Sequence, residues 1–145
     1  MNRNVTPRRL QHLISIGAFA LLGCWAFPAS AEEPVAHVPA KLVCTSHSAN
    51  PKEFPAFQAE MQFKVSGSLW LVDRTTSPHP GKERFLGILS PSGTMLIVGE
   101  GKFDDGSSSW SYEFSGRKSP SGITILKGSL TSAAPKGTRS CSLAF

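Results

Sequence analysis

Alternation constrains this chain more than any other feature. Ala59, Met61, Phe63 and Val65 alternate with Glu60, Gln62 and Lys64. Trp110, Tyr112 and Phe114 alternate with Ser111, Glu113 and Ser115, and Cys141, Leu143 and Phe145 with Ser140, Ser142 and Ala144. A period of two puts each set of side chains on one face of a β-strand. Clusters of Pro, Gly, Asp and Ser separate the runs: Ser66-Gly67, "SPSGT" at 90–94, "DDGS" at 104–107, "KSPSG" at 118–122 and "AAPKG" at 133–137. These are turn chemistries. The pattern predicts eight strands, at 41–46, 58–65, 68–74, 82–89, 95–103, 109–117, 122–130 and 138–145. "PAFQAEMQFK" also suits a short helix, with Phe57 and Met61 four apart. Its continuation into "VSGSLW" favours a strand.

Short connections make neighbouring strands antiparallel, so the expected fold is all-β: an eight-stranded meander. A closed barrel, lipocalin- or avidin-like in shape, is preferred over a two-sheet sandwich because closure removes the sheet edges. Closure sets the first strand beside the last. Cys44 lies on the first and Cys141 on the last, so a disulfide across the seam is expected, and the chain stops on the strand that seals the barrel. The prolines after residue 31 fall outside the proposed strands. Gly87, Gly99, Gly101, Gly116 and Gly128 fall inside them, where bends and bulges are expected.

Residues 1–31 read as a signal peptide. Arg3, Arg8 and Arg9 precede an uncharged apolar stretch from Leu13 to Phe27, followed by the small-x-small site Ala29-Ser30-Ala31. That stretch is short of the ~20 residues a membrane span needs. A rival reading takes "LLGC" as a lipobox, which would retain and lipidate Cys24 as an anchor. Arg8-Arg9 also raises the twin-arginine route, but Leu10-Gln11-His12 lacks the usual aromatic-leucine step. Residues 32–40 read as a flexible lead-in, and 41–145 as one barrel domain. The location expected is the periplasm or the exterior of a bacterium, where an even pair of cysteines reads as a disulfide. The formal net charge of +5 shrinks beyond residue 31, where twelve Lys/Arg face ten Asp/Glu. No basic stripe appears, which disfavours nucleic acid as a partner.

The residues carry no catalytic constellation. His37, His47 and His79 sit in the lead-in or in Pro- or Ser-rich loops, read as exposed, and no two lie at metal-ligand spacing. No metal or cofactor is expected. Ser115 to Lys118 matches Ser-x-x-Lys, but on a strand end rather than at a helix start. An enzyme would have to bring His47 or His79 to Asp73, or to a carboxylate across the barrel mouth, through the fold. Phe63, Trp70, Trp110, Tyr112 and Phe114 either fill the barrel or line a cavity, and a filled interior is the expectation for so many large residues.

Three resemblances reach a little further. "WSYEFSGR", "GITILKGSL" and "TRSCSLAF" resemble small secreted proteobacterial proteins that end in an R-x-C-x-L strand; the likeness covers about 95–145 plus Cys44 and implies no function. Periplasmic lysozyme inhibitors are similar in size, disulfide and export, and insert a Ser-Gly loop into the enzyme cleft. Ser92-Gly93 resembles that loop, although Met95 stands where an aromatic follows in the family, and Ser-Gly recurs at 66–67, 115–116 and 121–122. Trp70 with Arg139 resembles the Trp–Arg pair at the closed end of lipocalins, although "GSLW" is one residue longer than the family's Gly-x-Trp.

The function expected is a secreted or periplasmic, non-enzymatic barrel that binds a partner protein or a small apolar ligand. Ser92, Gly93 and His79 mark candidate interaction loops. The alternatives are an inhibitor of the lysozyme-inhibitor type and an envelope lipoprotein with a structural role.

Overall fold

The computed structural model describes residues 34–76 and 80–145. The segment read as a signal peptide and Cys24 lie outside these residues, as does His79. No described helix is long and apolar enough to cross a membrane. The chain folds as eight antiparallel strands in a closed meander: β1 (Ala36–Cys44), β2 (Phe57–Ser66), β3 (Leu69–Thr75), β4 (Gly81–Leu89), β5 (Thr94–Phe103), β6 (Ser109–Arg117), β7 (Ile125–Ala133) and β8 (Lys136–Ala144). "PAFQAEMQFK" is strand, as its alternation predicts. Gly67, Gly93, Gly106 and Gly122 take positive φ in the loops, the conformation that only glycine adopts without cost.

Two boundaries differ most: β7 runs Ile125–Ala133 rather than 122–130, and β1 starts earlier than expected. The segment expected as a flexible lead-in is strand from Ala36, and Pro39 lies within it, paired with Gln62 of β2. β8 reaches only Lys41 to Cys44 on the other side of β1. Residues 36–40 therefore form a free edge, the one place in a sheet that tolerates proline.

The register stacks the interior in layers. One inward layer runs Trp70, Gly87, Ile97, Phe114, Gly128, Cys141 and Cys44 around the barrel. The next runs Val72, Phe85, Gly99, Tyr112, Leu130 and Arg139, and the last Arg74, Glu83, Gly101, Trp110, Ser132 and Gly137. Every layer mixes large residues with glycine. The strand glycines were expected at bulges, but the pairing of β4 with β5 runs unbroken through Gly87, Gly99 and Gly101. Their role is space. A Cβ on Gly99 would stand 2.6 Å from the Phe85 ring, and one on Gly101 would stand 2.3 Å from Trp110 Nε1.

The two ends of the barrel differ. At one end Phe63, Trp70 and Phe145 pack as a plug, with Trp70 and Phe145 rings 4.9 Å apart and Lys118 Nζ 5.7 Å over Trp70. Arg139 is not the partner of Trp70. It lies near the start of β8, whereas Phe145 follows the end of that strand, so the lipocalin-like Trp–Arg pair is not formed. At the other end β2 and β3 diverge: they share three register pairs, Lys64↔Leu71 to Ser66↔Leu69, against six to nine between other consecutive strands. That divergence opens the mouth.

Cys44 and Cys141 face each other in the β1–β8 register and form the expected disulfide, closing a sequence separation of 97 residues. Such a bond is consistent with an oxidising compartment. Cys44→Ala/Cys141→Ala should lower unfolding free energy by about 2–5 kcal/mol. Urea unfolding of the oxidised protein and the double variant measures this; equal midpoints would refute it. Gly101→Val should cost at least as much as a typical overpacking change, about 1–3 kcal/mol, and shift Trp110 fluorescence.

Candidate functional site

The mouth is built around a buried carboxylate. Glu83 points inward from β4 and is 4 % exposed. Its neighbours in the layer supply the reason it is tolerated. Trp110 Nε1 donates to Oε1 at 2.8 Å, Tyr112 Oη donates to the same oxygen at 2.7 Å, and Arg74 Nε donates to Oε2 at 2.5 Å. A buried charge needs a partner and filled lone pairs, and Glu83 has both. Tyr112 feels the arrangement strongly: burial, then the neighbouring Glu83 carboxylate, pushes its phenol far above the ordinary value of 10.0.

A cavity of about 450 Å³ opens beside this cluster. Phe57 and Ala59 of β2, Phe103 of β5, Leu130 of β7 and Arg139 of β8 line it with Trp110 and Tyr112. The volume falls within the span of roughly 300–1,000 Å³ common for small-molecule sites. The expectation of a filled interior therefore holds for the plug and the layer above it, where Phe63 and Phe114 are fully buried, and gives way at the mouth. Phe63, Trp70 and Phe114 are core; Trp110 and Tyr112 are lining.

Arg139 stands in the layer position next to Leu130. Its Nη1 donates to Thr45 O at 3.1 Å and Pro55 O at 2.7 Å, and its guanidinium lies 5.2 Å over the Phe57 ring. Burial holds its pKa below the ordinary arginine value.

His47 is not an exposed loop histidine, as its Ser-rich context implied. It is 3 % exposed and packs on Phe54 at the mouth. Its Nδ1 accepts from the backbone N–H of Ala49 and of Asn50, both at 3.2 Å. The ring proton therefore sits on Nε2 and is donated to Ser132 Oγ at 2.8 Å. Ser132 Oγ in turn donates to Pro135 O at 2.6 Å. A base that activates serine needs the opposite polarity, with Nε2 accepting. This pair instead ties the β1–β2 loop to the end of β7 and the β7–β8 turn. Gly137 gives the ring its room, since a Cβ there would stand 2.2 Å from it. Asp73 is on the outer face, bound to Arg84 Nε at 2.7 Å, and does not meet His47.

Ser92 and Gly93 lie at the far end of the barrel from the cavity, in the β4–β5 turn. Ser92 Oγ is 2.8 Å from Ser90 Oγ and 3.3 Å from Thr94 Oγ1, so the hydroxyl is engaged within its own turn. Next to that turn the outer face of β3, β4 and β5 carries a two-row aliphatic array. Leu69, Ile88 and Leu96 form one row and Leu71, Leu86 and Val98 the other. Asp73, Arg84 and Glu100 form the charged row beyond. Among the described residues no cluster of three or more His, Cys, Asp or Glu is placed to hold a metal ion.

Of the mouth residues, Trp110 and Tyr112 are predicted by the sequence pattern. Glu83, Arg74 and Arg139 are not singled out as a site. The available clue is Glu83 itself: in "GKERFLGIL" it occupies the inward phase set by Gly81, Phe85 and Gly87.

Tyr112 is the sole tyrosine of the 145 residues, so tyrosinate absorbance reports on it alone. The raised value fixes the sign. The neutral phenol's contribution to stability is complete below pH 10 and is lost as pH climbs above it, because the unfolded chain releases its proton first. An absorbance titration should show no ionisation near pH 10 while the barrel is folded; an ordinary curve would refute the buried cluster. Glu83→Gln keeps the shape but removes the charge opposite Arg74, and should destabilise by about 3–5 kcal/mol, read by urea unfolding.

Comparison with protein-family models, curated proteins and solved structures returns no match to this chain, and so bears on none of the resemblances drawn from its sequence.

Proposed function

We propose that this protein is a non-enzymatic binding protein of the periplasm or cell exterior that takes a small ligand into the open end of its barrel. One observation carries the reading: the cavity of about 450 Å³ adjoins a hydrogen-bonded Glu83–Arg74–Trp110–Tyr112 cluster. Such a cluster is costly to bury, and here it fixes two aromatic walls in place. Walls held by a rigid network lose little freedom when a ligand arrives, which favours affinity. Apolar walls with a few convergent polar groups are the usual makings of a small-molecule site.

The polarity of the His47–Ser132 pair supports binding rather than hydrolysis, since His47 Nε2 donates to Ser132 Oγ and so is not set to take the serine's proton. The inhibitor reading draws less support, because Ser92 already spends its hydroxyl on Ser90 and Thr94.

Native mass spectrometry of the protein exported from its own host tests the proposal. The expected spectrum has a non-covalent adduct that leaves on denaturation. Ala59→Trp, which fills the cavity from β2, should reduce that adduct about tenfold or more while leaving the Tyr112 titration unchanged; tenfold corresponds to ~1.4 kcal/mol. An adduct equally abundant in wild type and Ala59→Trp would move the ligand elsewhere.

A further inference from the structure

We propose that the mouth cavity selects a small organic anion, with its carboxylate on Arg139 and its apolar body among Phe57, Trp110 and Tyr112. This rests on the ligand-binding reading above and adds the chemical class.

The first observation is position. Arg139 occupies an inward layer otherwise made of Val72, Phe85, Gly99, Tyr112 and Leu130. A cation there needs a reason, because burial disfavours charge. The second is what its fork does. Nη1 spends its hydrogens on the carbonyls of Thr45 and Pro55. Among the described residues Nε and Nη2 donate to none, so one edge of the guanidinium keeps its donors. That edge is the one that grips a carboxylate with two parallel hydrogen bonds.

The third observation is the charge balance. The ion pairs among the described residues are Arg74–Glu83 and Arg84–Asp73, and neither includes Arg139. The acidic groups on the cavity wall, Glu83 and Glu53, are already engaged. Glu83 receives Trp110 and Tyr112 on one oxygen and Arg74 on the other. Glu53 is exposed on the rim and accepts from Asn50 Nδ2. The cavity therefore offers one cation without a carboxylate, beside neutral aromatic walls. A ligand carboxylate would restore the balance, and an ammonium would meet Arg139 with no free acid to receive it. Phe57 under the guanidinium holds the plane of the fork in place.

Three probes of one shape test this: 4-phenylbutyrate, 4-phenylbutan-1-ol and 4-phenylbutylamine, titrated into the oxidised full-length mature protein by calorimetry at pH 7 and low salt. The acid should bind about tenfold or more tighter than the alcohol, and the amine most weakly. Arg139→Gln should erase the acid's advantage over the alcohol, with the Tyr112 titration as the check that the barrel is intact. Acid and alcohol binding alike in the wild type, or the amine binding best, would overturn the anion assignment and leave the cavity reading standing. No heat from any of the three would remove both. The wild-type comparison decides the matter even if Arg139→Gln fails to fold.

Discussion

Everything in this barrel depends on the register at which β1 meets β8. Only four pairs, Lys41↔Ala144 to Cys44↔Cys141, join these strands. A one-residue slip would turn Leu42, Cys44 and Leu143 outward and destroy the layers. The disulfide spans a register pair, so it fixes the pairing covalently as well as closing a long loop of the unfolded chain. With the seam fixed, the meander places each inward residue against a known neighbour. Large rings then fall beside glycines: Phe85 beside Gly99, Trp110 beside Gly101 and Phe114 beside Gly128.

The same layering explains why one end is shut and the other open. At the shut end apolar rings meet one another, and Phe63, Trp70 and Phe145 leave little to solvate. At the open end the layer contains Arg74, Glu83, Trp110 and Ser132, groups with hydrogen-bond demands that a dry plug cannot meet. They satisfy each other along the walls and leave the middle unfilled. The parting of β2 from β3 removes a wall at the same level. A cavity follows from polar walls that bond sideways, not from a lack of side chains.

Much of the fold was legible because alternation is local. The strand phases of β2, β6 and β8 follow from "AEMQFKV", "WSYEFS" and "SCSLAF", and the turns from their Gly, Pro and Asp clusters. β4 and β5 are harder to phase. "FLGIL" and "MLIVG" are apolar on both faces, since Leu86, Ile88, Leu96 and Val98 form the outer array while Phe85, Met95 and Ile97 point in. The start of β1 was missed because Pro39 argues against a strand, and only the missing neighbour beyond Lys41 makes it acceptable. His47 was misread because its partners, Ser132 and the Gly137 hollow, are some 85 to 90 residues away.

The amino-acid pattern is enough to assign the class of fold, the number of strands, the antiparallel order and the cysteine pair. Those properties rest on period-two patterning, turn chemistry and a count of two thiols beyond residue 31, and each is readable within a few residues or from composition. Which charges meet is set by the closed barrel. Arg74, Glu83, Trp110 and Tyr112 lie on three strands, and Arg139 on a fourth. Their meeting depends on the shear of a closed sheet, a property of the whole barrel that no local segment encodes. The cavity, the tautomer of His47 and the unshared edge of Arg139 all follow from that closure.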